Sequence, residues 1–335
     1  MEITKDKSTL IKGIVIIMMI FYHLFDHDVK TDMCTNIFYI GSKPFALWLS
    51  NACNPVTFYL LLSGYGLSYI YYKNKSKCTF VQQAKRIFKL YVHYWLVLFL
   101  FLTIGFFMFP DKYPGSFLIF VLNASGWDTS YNGTMWFLFP YCLVSLSSSV
   151  IISTIERMGN KMALLLTGSI YFVVCYLISR HGEKLFFGHL LIYQPVLFLQ
   201  FLYPFTLGAV FYRAGRSIRL SLPSWQAIVS IIILVSLVAS FGNSIAYMVY
   251  VPLLVFLLCQ LSYPKWLEIV FMELGRKSMT MWMVHAWFCY YLFQPQVYSL
   301  RYPFLILVGL VLISYLIAIP VMWIAKKLLR CLNLE

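Results

Sequence analysis

Acidic charge is the scarcest thing in this sequence. The chain has 12 Asp and Glu against 26 Lys and Arg in 335 residues, and charged residues make up only 11% of it. A soluble domain carries about 25%, so a water-facing globular surface is excluded. The patterns of several chemistries are missing too. The eight cysteines are scattered without a Cys-x-x-Cys pair, and Cys142, Cys175 and Cys259 fall inside apolar runs. That usage is packing, neither a disulfide framework nor a zinc site. No His-Glu-x-x-His, P-loop or nucleophile elbow occurs, so nucleotide hydrolysis lacks support and no metal is expected. The chain shows no internal repeat, and no paired Gly- or Pro-broken segments of the kind that mark inverted-repeat transporters. No small-residue cleavage site follows the first apolar segment, as a signal peptide requires.

What is present is apolar. Hydrophobic residues make up 61% of the chain, and the mean hydropathy is +0.77. Stretches of about 17 to 25 apolar residues recur from end to end, each long enough to cross a bilayer as a helix. The short alternating segments of a membrane β-barrel are absent. The expected fold is therefore all-α: a polytopic membrane protein forming one domain over residues 1–335. Ten spans are expected at about 10–27, 45–71, 90–109, 135–155, 162–179, 194–212, 224–241, 245–262, 278–294 and 303–325. The second is overlong, which predicts tilt or an irregular start at Asn54-Pro55. Residues 185–193, apolar around His189, read as a re-entrant piece before span six. "FVQQAKRIFKLY" has helical spacing and leads into span three.

The formal charge of +14 does not indicate nucleic acid, because Lys and Arg sit between apolar spans rather than on one face. With the N-terminus inside, inner loops collect 20 basic residues and outer loops 6, Lys30 among the latter. That bias predicts cytoplasmic termini, and an even number of spans agrees with it. The bilayer is the first partner. The oligomeric state is not legible. The chain stops soon after span ten, so no second soluble domain is expected.

Ionisable groups inside this apolar frame are the candidate site. In "KGIVIIMMIFYHLFDH", His23, Asp26 and His27 share one helix face. Lys12 lies eleven positions before His23, about 16 Å down the axis and within about 20° around it. Two accounts stand side by side: Lys12 and the histidines mark the two membrane interfaces, or they form one functional wall. Arg86 and Lys89, one turn apart at the inner mouth of span three, are interface anchors or a clamp for phosphates. Ser63, Gly64 and Gly66 suit close helix approach. Trp136 sits where an interfacial Trp is expected. His285 lies well inside span nine and needs a partner. The outer loop 110–134, rich in Gly, Asn and aromatic residues, suits a polar ligand such as a sugar, and ordinary loop packing explains it nearly as well.

Taken together, four segments resemble the acyltransferase-3 family of integral membrane acyltransferases, which includes bacterial enzymes that O-acetylate surface polysaccharides. "KGIVIIMMIFYH" is similar to the family's Arg/Lys-x10-His signature, here Lys12 and His23. "NPVTFYLLLSGYGL" resembles its second-span segment. "RIFKLY" resembles its Arg-x-x-Arg element, with Lys89 in place of the second arginine and Val92 where proline often follows. "LGRKSMTMWMVH" resembles its Gly-x-x-Ser…His segment, here Gly275, Ser278 and His285. The resemblance implies a cytoplasmic acyl-CoA donor (acetyl-CoA first) and an acceptor hydroxyl on a carbohydrate reached from outside, at a bacterial plasma membrane. His23 is then the general base, and Asp26 or another carboxylate orients its ring. Lys12, Arg86 and Lys89 hold the donor's negative groups; Ser63, Trp136, Ser278 and His285 support. Direct transfer and an acyl-His intermediate both stay open. The other-class alternatives are a proton-coupled transporter or flippase relaying through His23, Asp26 and His285, and a structural subunit without chemistry.

Overall fold

The computed structural model describes residues 3–183, 188–215, 221–241 and 245–334. In lipid every backbone N–H and C=O must find a partner inside the protein, so long apolar runs become helices. The long helices are α1 (Lys5–Phe25), α2 (Pro55–Lys73), α3 (Phe80–Met108), α4 (Leu138–Met158) and α5 (Asn160–His181) in the first half. The second half holds α6 (Leu190–Gly215), α7 (Ser224–Phe241), α8 (Tyr247–Gln260), α9 (Lys265–Ala286) and α10 (Pro303–Cys331). Each overlaps one expected span, α9 least closely: it runs Lys265–Ala286 where 278–294 was expected, because its charged first part is helical too. Among the described residues, eight segments are long and apolar enough to cross a membrane. The other two are α8, with 14 residues, and α9, whose first part is charged. There Glu273 takes up the charge of Arg276 at 2.9 Å and of Lys277. Among the described residues, strand is confined to the two-residue pair Tyr39–Ile40 and Lys43–Pro44. The chain is an all-α, multi-pass membrane protein.

Boundaries follow local chemistry. The first span starts earlier than its hydropathy suggests, because Thr4 caps α1 by accepting from the Lys7 amide at 3.2 Å. The polar leader of span three is continuous with it, since Thr79 caps α3 at Phe80. The overlong second span is two pieces: a helix Phe45–Ser50, then α2. Pro55 opens α2 at a position where its missing N–H costs nothing, and the Asn54 side chain accepts from the Thr57 amide at 3.3 Å and its hydroxyl at 2.8 Å. Of the expected re-entrant piece, 190–193 are the first turn of α6, and 185–187 lie outside the described residues.

Two helix crossings organise the bundle, both made by glycine. A Cβ at Gly13 of α1 would lie 1.9 Å from the Phe271 carbonyl oxygen of α9, and one at Gly275 would lie 1.9 Å from that of Thr9. Gly64 of α2 and Gly208 of α6 meet in the same way, at 2.0 Å from the Phe205 oxygen and 1.9 Å from the Leu61 oxygen. Small residues at such crossings let backbones pack where lipid supplies no hydrophobic drive between helices. Gly66 is different: a Cβ there would meet nothing within 4 Å. Phe99, Phe107 and Ile232 turn outward on the bundle's exposed faces, as lipid contact requires.

Candidate active site

The helix pair α1 and α9 runs parallel from its crossing, and each helix carries a histidine ten residues further on, His23 and His285. Ten residues is about 15 Å of rise on both helices, so the two rings arrive at one level. Their centroids are 5.1 Å apart. His285 is fully buried, and its Nδ1 lies 2.7 Å from the Trp282 carbonyl oxygen. A carbonyl only accepts, so Nδ1 carries the proton, and Nε2 keeps a lone pair with no partner among the described residues.

His23 sits in the last turn of α1, where carbonyls lose their intrahelical partners. Side chains from other elements replace those partners. The Leu24 oxygen accepts from Tyr298 at 2.8 Å, and the Phe25 oxygen accepts from Ser50 at 3.1 Å. The His23 oxygen accepts from Tyr290 at 2.7 Å and from Lys30 Nζ at 3.1 Å. Tyr290 stands on a π turn, Trp287–Tyr291, that continues α9. Its hydroxyl also lies 3.1 Å from His23 Nδ1 and 2.6 Å from Lys30 Nζ. The single Tyr290 proton is committed to the carbonyl, so the hydroxyl oxygen accepts from Nδ1–H. That bond leaves His23 Nε2 as the basic nitrogen.

Asp26 was expected beside the ring, and its carboxylate instead pairs with Lys30, one turn on, with the His27 ring at 3.7 Å. Its influence on His23 runs through Lys30 and Tyr290. Lys30, which sequence assigns to an outer loop, is in fact buried over the Tyr290 ring, 4.2 Å from its centroid. His27 stays largely in solvent.

Two cavities flank this wall. One, of about 430 Å³, is lined by His23, Asp26, Trp136, Tyr22, Gln200 and the stretch Cys53–Thr57, in which non-helical Cys53 and Asn54 lead into α2. Non-helical backbone is tolerated at such depth where it lines a cavity, which is the place the Asn54-Pro55 break occupies. The other, of about 450 Å³, is lined by Lys12, Arg86, Lys89, Ser63, Ser278 and Gly66. Eight of the nine sequence-predicted residues thus line one cavity or the other, and His285 stands behind His23.

The charge of the second cavity is uncompensated. Among the described residues, the ion pairs involve Asp26 and Glu273, and none reaches Lys12, Arg86 or Lys89. Arg86 has a neutral partner, Gln83 Oε1 at 3.2 Å. His93 also lines this cavity, bonded to the Thr280 hydroxyl at 3.3 Å. Sequence reasoning passed over His93, although its spacing of four from Lys89 and seven from Arg86 puts all three on one face. Three cations without a carboxylate are the side-chain chemistry that suits an anion.

The bundle thus sets a histidine pair, His23 with His285 behind it, at a polar cavity that adjoins a cationic one. The family model described as an acyltransferase domain, acyltransferase 3, matches residues 7–324, and the chain belongs to that family. It is a membrane acyltransferase. Neither a curated protein nor a solved structure gives a match. Membership sets acyl transfer ahead of proton-coupled transport.

Proposed function

We propose that this chain moves an acyl group, acetyl foremost, from cytoplasmic acyl-CoA to a hydroxyl of a cell-surface or lipid-linked carbohydrate at a bacterial plasma membrane. The observation that carries the reading is the juxtaposition of the two cavities. A cavity with three cations and no carboxylate adjoins one that presents His23. The bias of 20 inner to 6 outer basic residues puts the Lys12 end in the cytoplasm, where the donor is. Phosphates of CoA suit Arg86, Lys89 and Lys12; Lys89 contributes as a point charge rather than a planar fork.

In the transfer, His23 Nε2 takes the proton of the acceptor hydroxyl as its oxygen attacks the thioester carbonyl. The new C–O bond forms, the C–S bond breaks, and the proton passes to the departing CoA thiolate. Tyr290 holds the ring in the tautomer this requires. The Asp26–Lys30 pair fixes Tyr290, and the Asp26 carboxylate offsets the Lys30 charge that would otherwise oppose the imidazolium. Attack by His23 on the thioester first, giving an acyl-imidazole, uses the same nitrogen.

The test is mass spectrometry of surface glycans from cells with and without the gene, joined to acceptor-dependent release of CoA thiol by purified protein. An ester lost from the glycans together with thiol release is the expected result. Intact glycan esters and no thiol release would remove the proposal.

A further inference from the structure

The two cavities meet at a single place. Among the described residues, Met19 and Trp282 line both of them. Met19 lies seven residues after Lys12 and four before His23, so it shares their stripe of α1 between the donor end and the base. Both side chains are nearly sealed, Met19 with 2% of its surface exposed and Trp282 with 6%.

They differ in freedom. The Trp282 indole Nε1 donates to the Thr134 carbonyl at 3.2 Å, and its ring meets Phe137 edge-on at 5.4 Å between centroids. Thr134 lines the His23 cavity and Phe137 the cationic one, so the indole is held from both sides. Met19 is unbranched, with three rotatable bonds and a polarizable sulfur, the side chain best suited to move aside. A fixed plate faces a movable arm.

We infer that Met19 and Trp282 form an acyl gate that restricts the donor to short-chain acyl thioesters, a role that presupposes the acyl-CoA reading above. With the donor's phosphates held at the Lys12 end, its acyl tip must pass between these two side chains to come within reach of His23. Rotation of Met19 clears room for a small acyl group. Each added methylene needs space that the anchored indole occupies. A long chain that did pass would also fill the 430 Å³ cavity that the acceptor must enter. Closed, the pair keeps water in the acceptor cavity from the thioester, so hydrolysis does not compete with transfer.

The experiment uses the purified full chain with acetyl-, butyryl- and octanoyl-CoA. The acceptor probe is surface polysaccharide from the host, stripped of its esters by mild alkali. Wild-type protein should prefer acetyl-CoA. Met19→Ala and Trp282→Phe should each raise the octanoyl-to-acetyl ratio of kcat/KM about tenfold or more, the scale on which pocket size discriminates chain length. A thermal unfolding midpoint close to that of the wild type in the same detergent shows that the variants are folded. Unchanged ratios in both variants, or equal losses for all three donors, would overturn the gate while wild-type transfer upheld the acyltransferase reading. Failure of the wild type to consume any acyl-CoA would overturn both.

Discussion

The two cavities enclose nearly equal space, about 430 and 450 Å³, and share a wall, yet their polar chemistry is opposite. At the His23 end, charge is paired: Asp26 holds Lys30, and Lys30 holds Tyr290. At the Lys12 end, three cations share a cavity with neutral hydroxyls and aromatic rings. Paired charge in a buried place fixes geometry, because both partners are satisfied and neither seeks a ligand. Unpaired charge waits for one. Size therefore says little about which cavity takes which substrate, and charge balance says most.

Removing the base should break the comparison most completely. His23→Ala should lower transfer by about 10² to 10⁴, the usual worth of a general base, and further if the histidine also carries the acyl group. Donor binding should be intact, because the cationic cavity is untouched. His27→Ala, at a largely solvent-exposed position, should leave the rate within a few-fold. Wild-type rates in folded His23→Ala would transfer the role to His285.

The converse variant attacks the other cavity. Arg86→Ala with Lys89→Ala should raise the donor Kd by about 10- to 100-fold per residue, at about 1.5 to 3 kcal/mol for each charge-assisted bond. The rate at saturating donor should change far less. Lys89→Arg should be tolerated or bind more tightly, since it restores a planar fork. Calorimetric titration with CoA reads this directly. Unchanged affinity in the double variant would reduce both residues to membrane anchors.

Tyr290→Phe sharpens the role of the paired network. It removes the acceptor of His23 Nδ1–H, and a buried donor left unsatisfied costs about 1 to 3 kcal/mol. The rate should fall about 10- to 100-fold with the donor Kd unchanged. Asp26→Asn should cost less, because it reaches the ring only through Lys30 and Tyr290. A larger loss from Asp26→Asn than from Tyr290→Phe would return the orienting role to the carboxylate.

How much of this could be read beforehand differs between the frame and the site. Eight of the ten expected spans were legible because lipid leaves apolar runs of that length one solution, and the break at Asn54-Pro55 was legible because both residues advertise a helix start. The Lys12–His23 wall followed from helical arithmetic. Tyr290 did not, because it meets His23 across 267 residues through a π turn that no periodicity announces. Lys30 counted as one more loop cation until the fold turned it inward over an aromatic ring. Met19 and Trp282 look like any apolar core residues in sequence, and only the position of two cavities distinguishes them.

The smallest expected effect concerns two glycines that sequence treats alike. Gly66 falls in the same Ser-Gly-Tyr-Gly stretch as Gly64, and close helix approach was expected at both. Only Gly64 makes such a contact; Gly66 faces open space on the cationic cavity. Gly13→Ala, at the α1–α9 crossing, would force a methyl group to 1.9 Å from a backbone oxygen. No side chain can rotate away to relieve that, so the helices must part. Overpacking of this kind costs about 1 to 3 kcal/mol, and here it would also separate His23 from His285. Gly66→Ala meets nothing, and it exchanges glycine for a better helix former, so stability should stay within about 1 kcal/mol of wild type. Thermal unfolding of the two variants in one detergent measures the difference. A Gly66→Ala variant as unstable as Gly13→Ala would mean that the cavity is closed in the folded protein, and that donor entry requires α2 to move.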